Sequence, residues 1–270
     1  MKIKYLIVYC CLLFFVSCSE KEEILLIFTT DIHSQIDANE KGEGGLNKIA
    51  SIVQEYRQQY GENMLLLDAG DNVQGSIYYN IYDGNLEFLI TKFLTYDAIT
   101  LGNHNFDNGI NKLKENILHT NTPIVCANYI INDTCLQNCI QPYIIKNIGQ
   151  KKIGIIGLGV NLEDFVADEN IQKITYQNPI ACVNLYADSL KHFFNCNAII
   201  VLSHLGSKKE TANICDVELI QNTSNIDIVL SGHSHIDTNV YINNINNKPV
   251  LLFGTESKGR KIGKILLSVD

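Results

Sequence analysis

With 270 residues, 46% hydrophobic and 19% charged, the chain has apolar volume for a sizeable core and is neither disordered nor collagen-like. Its 4 Pro and 18 Gly exclude a linker-type protein, and a formal charge of −8 argues against a broad grip on a nucleic-acid duplex. Phosphorylated small molecules stay open as partners, because a local metal centre overrides the overall sign of charge.

Residues 1–4 are basic, and the apolar run over residues 5–16 is shorter than the about 20 residues that a bilayer span needs. A basic start and a short apolar run predict a secretory signal over residues 1–17. Phe15-Val16-Ser17-Cys18 resembles a bacterial lipobox, which makes Cys18 the lipid anchor of the mature chain. The plainer alternative is an ordinary signal peptide with an incidental cysteine. Residues 18–23 then read as a short acidic tether, and residues 24–270 as one domain. The expected location is the cell envelope, periplasmic or outer surface. Acyl chains would hold the protein there, since so acidic a chain gains little from anionic lipid.

A continuous apolar run over residues 23–29 predicts a buried strand. Leu46, Ile49, Ile52, Val53 and Tyr56 recur at helical spacing and predict a helix as far as Tyr60. Residues 64–67 read as a strand ending at Asp68-Ala69-Gly70-Asp71, and 86–94 as a helix. Residues 97–101 read as a strand ending in Gly102-Asn103-His104. A helix over about 108–119 precedes a short strand at 124–126. Residues 143–157 predict a hairpin that turns near Gly149. A helix over 180–194 feeds a strand at 198–202, which ends in Ser203-His204. Another strand, at 226–230, ends in Ser231-Gly232-His233-Ser234-His235. Residues 240–242, 250–253 and 262–269 predict antiparallel strands. This alternation predicts an α/β architecture with no second domain. Cys135 and Cys139 are spaced for a local disulfide. Cys126, Cys182, Cys196 and Cys215 read as small core residues, and no CxxC pair offers a thiolate metal site.

Polar side chains with ligand capacity stand at five strand ends: Asp31 and His33; Asp71; Asn103 and His104; His204; His233 and His235. In an α/β sheet the strand ends converge on one edge, where sites are built. Singly, each has a plain reading. Asp-x-His is commonly a turn or helix cap, Gly-Asp a turn, and Ser203-His204 a half-buried histidine. Five of them in order make a metal centre the better explanation. Carboxylate, amide oxygen and imidazole suit Zn, Mn or Fe more than Ca or a thiophilic ion. His119 and His192 fall in helical patterns and read as surface or helix-end histidines. Asp68 reads as a turn acid or a support behind the ligands, and Asp37 and Glu43 as solvated loop residues.

The ordered set resembles the calcineurin-like metallophosphoesterases. Leu67-Asp68-Ala69-Gly70-Asp71 with Gln74-Gly75-Ser76 resembles the 5′-nucleotidase branch in particular. So does the stretch from Tyr96-Asp97-Ala98 through Gly102-Asn103-His104 to Phe106-Asp107, and so does Gly44-Gly45-Leu46. Asn105 stands where that branch has Glu, at a position that is not a ligand. The resemblance covers nearly all of residues 24–270 and implies a four-layer α-β-β-α sandwich with mixed sheets. It implies two divalent ions, one held by Asp31, His33 and His235 and the other by Asn103, His204 and His233, with Asp71 bridging. The implied activity is hydrolysis of phosphate esters, nucleotides foremost, by a metal-bridging hydroxide. His104 would stabilise the transition state and protonate the leaving oxygen, with Asp107 orienting its ring. The branch also carries a C-terminal domain that positions the nucleoside, whereas this sequence stops at Asp270. The expectation is a separately encoded nucleoside-binding partner, or action alone on broader phosphate esters. Rival readings are a phosphodiesterase, another phosphomonoesterase, or a non-catalytic nucleotide-binding surface lipoprotein.

Overall fold

The computed structural model describes residues 22–209 and 213–269. The signal at 1–17, the anchor Cys18 and most of the tether lie outside the described residues. Strand β1 (Glu22–Thr29) leads to helix α1 (Leu46–Tyr60) and β2 (Met64–Asp68). Helices α2 (Ile77–Tyr82) and α3 (Asn85–Phe93) precede β3 (Ala98–Ile99), α4 (Gly109–His119) and β4 (Ile124–Val125). Then come β5 (Tyr129–Ile131), α5 (Thr134–Cys139), β6 (Ile140–Gln141), β7 (Tyr143–Ile148) and β8 (Lys151–Leu158). The second half holds α6 (Asp168–Ile171), β9 (Ile174–Tyr176), α7 (Pro179–Asp188) and β10 (Ala198–Ser203). It closes with α8 (Asp216–Gln221), β11 (Ile228–Ser231), β12 (Thr238–Asn243), β13 (Pro249–Gly254) and β14 (Gly263–Val269).

Two six-stranded mixed sheets, ordered β14-β1-β2-β3-β4-β6 and β12-β13-β11-β10-β8-β7, pack face to face. The period of two along each strand builds the layers. Ile24, Leu26 and Phe28 of β1 point between the sheets, towards Ile200 and Leu202 of β10. The intervening Leu25 and Ile27 point outward to Ile49, Val53, Phe88 and Leu113 on α1, α3 and α4. On the far side, Ile199 and Val201 of β10 meet Val183 of α7 and Leu219 of α8. The result is the expected α-β-β-α sandwich. Among the described residues no helix is long and apolar enough to cross a membrane.

The predicted elements recur with shifted edges. The strand expected at 97–101 shortens to β3, although sheet-type backbone bonds continue on either side of it, from Asp97 N to the Leu66 carbonyl and from Thr100 N to the Asp68 carbonyl. The hairpin forms as β7–β8, with Ile148 opposite Lys151. The C-terminal strands depart from simple antiparallel pairing. β13 is antiparallel to β12 but parallel to β11, and β14 crosses to pair antiparallel with β1 in the other sheet. Cys135 and Cys139 lie on α5 and are free thiols, since a helix carries residues four apart side by side rather than with their Cβ atoms facing each other.

Candidate metal centre

The first sheet brings Asp31 and His33 after β1, Asp71 after β2 and Asn103 after β3. The second brings His204 after β10, and His233 and His235 after β11. The site therefore spans the seam between the sheets. Glycines make the close approach possible. A Cβ on Gly102 would fall 2.1 Å from Asp71 Oδ1 and 2.6 Å from His204 Nε2, and one on Gly232 would fall 2.3 Å from Thr30 Oγ1.

Asp31, His33, Asp71, His233 and His235 all have positive φ, between 48° and 69°. Left-handed backbone is unfavourable for residues with a Cβ, and its concentration here marks a conformation held for the site. Hydrogen bonds hold it in place. Asp31 N donates to the Gly70 carbonyl and His33 N to the Asp71 carbonyl, which ties the two loops of the first sheet together. His233 N donates to Asp31 Oδ2 at 3.0 Å, and Thr30 Oγ1 donates to the same oxygen at 2.6 Å.

The ligand-capable atoms form two groups, Asp31 with His33 and His235, and Asp71 with His204 and His233, each within 4.8 Å, and a third group of His33, Asp71 and His104 links them. His33 Nε2 lies 3.0 Å from His235 Nε2, and His235 Nε2 lies 3.2 Å from Asp31 Oδ1. His104 also comes within reach of His33 and Asp71. Asn103 is buried, and its Oδ1 has no hydrogen-bond partner.

The lone pairs decide whether these residues suit a cation. His204 Nδ1 sits 2.7 Å from the Ala69 carbonyl and donates to it, which leaves Nε2 as the nitrogen that faces the site. Nε2 lies 3.0 Å from Asp71 Oδ2, with both groups buried. A carboxylate oxygen and an imidazole nitrogen at such a distance need positive charge between them, a proton or a metal ion. Together with the orphaned Asn103 oxygen, this donor set fits divalent ions of the Zn, Mn or Fe kind. Desolvation opposes charging His204, but Asp71 and Asp31 outweigh it and push the imidazole up to about 9, so without an ion a proton on Nε2 takes the place that a bound cation would fill. Burial pulls His233 down to about 4 and lowers His33, which keeps both neutral as ligands must be.

His104 and Asp107 stand at the rim. His104 Nδ1 is 2.8 Å from Asp107 Oδ2, and this bond, ahead of the opposing burial, raises the imidazole above its ordinary value. His104 N donates to Asp71 Oδ1, and Asn170 Nδ2 holds the Asp107 carbonyl. Asn105 accepts from Gly102 N and donates to Asn72, fastening the turn that carries Asn103 and His104. His119 and His192 are exposed on helical segments, and Asp37 and Glu43 lie in an exposed loop. Asp68 is buried, accepts from Thr29 Oγ1 and Gly70 N, and is pushed up to about 7 by burial.

Two neighbours escape sequence reasoning. The Phe165 ring meets His233 edge-on, with centroids 4.8 Å apart. Asp216, fully buried, accepts from Ser203 and Ser231. The only trace of Asp216 in the sequence is an acid set among the apolar Ile214, Val217 and Leu219, which by itself does not show that it reaches Ser203 and Ser231.

A two-sheet sandwich with carboxylate, amide and imidazole donors meeting across the seam is the framework of a metal-dependent phosphoester hydrolase. The model of the calcineurin-like phosphoesterase family matches residues 24–237, and the chain belongs to that family. Members use divalent metal ions, and the Asp and His groups here are able to bind a pair. The chain is 32% identical over 226 residues to the snake venom 5′-nucleotidase of Naja atra, covering 79% of this chain and 41% of that protein. It is 29% identical over 259 residues to the Homo sapiens 5′-nucleotidase, covering 89% of this chain and 43% of that one. It thus spans less than half the length of these curated relatives. The fold superposes with a TM-score of 0.82 on a 5′-nucleotidase precursor from Thermus thermophilus, at 24% identity, covering 92% of this chain and 53% of that one. With the calcineurin-like phosphoesterase YfkN of Bacillus subtilis the TM-score is 0.75 at 25% identity, covering 93% and 86%.

Proposed function

We propose that the chain hydrolyses phosphate monoesters, nucleoside 5′-monophosphates foremost, with Asp31, His33 and His235 holding one divalent ion and Asn103, His204 and His233 a second. Asp71 serves both. The observation that carries this reading is the buried Asp71 carboxylate set 3.0 Å from His204 Nε2, between the two ligand groups. When bound, the ion pair supplies Lewis-acid charge and a water acidified towards neutral pH. The remaining work falls to side chains. His104, proton-bearing and turned by Asp107, offers its Nε2–H to the phosphoryl oxygens as charge builds. It then gives that proton to the ester oxygen as the P–O bond breaks. Asp107 anchors Nδ1 and stabilises the imidazolium before the transfer. The nucleotide preference draws its support from the named activities of the relatives. The same reading places the protein in the cell envelope, anchored at Cys18.

The test is a hydrolysis screen with the purified chain, loaded in turn with Zn, Mn and Fe, on nucleoside monophosphates, other monoesters and bis-esters. Monoesters should turn over fastest, and a preference for bis-esters would redirect the assignment. In H104N, kcat should fall roughly 10²–10⁴-fold while bound metal stays near the wild-type content. Loss of metal along with activity would make His104 a ligand instead.

A further inference from the structure

Behind the second group of ligands lies a bracket that the proposed chemistry does not use. Ser203 and Ser231 close β10 and β11 and stand directly opposite each other in the parallel register. Each directs its hydroxyl to the same carboxylate. Ser203 Oγ donates to Asp216 Oδ1 and Ser231 Oγ to Asp216 Oδ2, both at 2.5 Å. All three residues are buried, Asp216 completely. The Asp216 backbone is fixed as well, with its N–H donating to the Gly206 carbonyl at 2.9 Å. Ser203 Oγ also accepts from Leu205 N, so that side chain is locked from both sides.

The position of this bracket gives it meaning. Ser203 immediately precedes His204, and Ser231 lies two residues before His233. The two imidazoles sit with ring centroids 5.2 Å apart. A lone buried carboxylate costs stability unless its lone pairs are satisfied, and here the two strand ends satisfy them. The spacing of those strand ends is therefore set by a rigid carboxylate rather than by the parallel ladder alone. Neither ligand group receives a direct hydrogen bond from this bracket, which acts through the backbone: it reaches His204 and His233 within two residues, whereas the first group has only His235 on that loop and draws Asp31 and His33 from the other sheet.

We infer that Asp216 is a positioning residue that sets the separation of His204 and His233, and so governs the affinity of the second ion rather than the first. The inference rests on the ligand assignment above. Direct hydrogen-bond partners of metal ligands typically change metal affinity by about 10–100-fold when removed, and Asp216 acts one link further back through Ser203 and Ser231, so the lower end of that range is expected.

Mn²⁺ titrated into the metal-free chain, followed by calorimetry and by electron paramagnetic resonance, reads the two sites separately. In wild type, two ions bind and give the spectrum of a coupled pair. In D216A, one site should weaken by about tenfold or more while the other holds its affinity, and substoichiometric loading should give isolated Mn²⁺. D216N should recover most of the affinity, because its amide accepts from one serine and donates to the other. S231A, which removes one arm and little volume, should fall between them and serves if D216A does not fold. Unchanged affinities in both D216A and S231A overturn the inference, as does equal weakening of both sites, the mark of a general packing role. A wild-type chain that binds fewer than two ions fails at the earlier step and overturns the ligand assignment itself.

Discussion

Gly102 shows how closely the centre is packed at the level of single atoms. Its missing Cβ leaves room for the Asp71 carboxylate and the His204 imidazole, which a methyl group would reach at 2.1 and 2.6 Å. Neither neighbour has room to retreat, since Asp71 is held by His104 N and His204 by the Ala69 carbonyl. G102A should therefore lose at least one bound ion per chain and most of its activity, at a stability cost of about 1–3 kcal/mol, typical of overpacking. Elemental analysis of the purified variant, read beside far-ultraviolet circular dichroism, checks this. Full metal content in a folded G102A would contradict the contact geometry. At this scale much was legible: Asp31, His33, Asp71, His204, His233 and His235 were all visible as polar residues at strand ends. Asp216 and Phe165 were not, because what makes them matter is a neighbour far along the chain.

Helix α3 carries a conflict of its own. Its inward face presents Glu87 beside Phe88 and Thr91, and all three are buried. Neither Glu87 oxygen closes a well-formed hydrogen bond, and burial raises its pKa above the ordinary carboxylate value. An acid whose pKa rises on folding binds more protons in the native state, so its cost is absent below its unfolded pKa, grows from there up to the folded value, and is complete above it. E87Q should therefore unfold at a higher temperature than wild type near and above neutral pH, with the gain shrinking in acid. Thermal melts from below about pH 4 to about pH 8 read this directly, and a difference that stays the same across that whole range would assign Glu87 another role. Among the elements, long periodic segments such as α1 and β10 were readable from side-chain pattern. The short β5, β6 and β9 were not, since two or three residues hold no period and exist only because a partner strand lies beside them.

Across the whole molecule, the sheet-to-sheet core is also the scaffold of the centre. The apolar alternation that seats β1 against β10 is what brings Asp31 and Asp71 opposite His204 and His233. The attachment proposed for Cys18 concerns the molecule as one body, joined to a membrane through a segment outside this core. C18S should lose incorporation of labelled fatty acid and move to the soluble fraction with unchanged turnover; continued labelling would rule out that cysteine as the anchor. The order of the longer strands and helices, and the polar residues placed at strand ends, were determined by the sequence alone. Both are local properties: hydrophobic period and the residue that follows it. Only the tertiary structure decided that β14 returns to β1, that β13 runs parallel to β11, and that five proposed ligands take left-handed backbone. Those outcomes depend on which distant surfaces are buried together, and the free energy that selects them comes from contacts that no stretch of neighbouring residues contains.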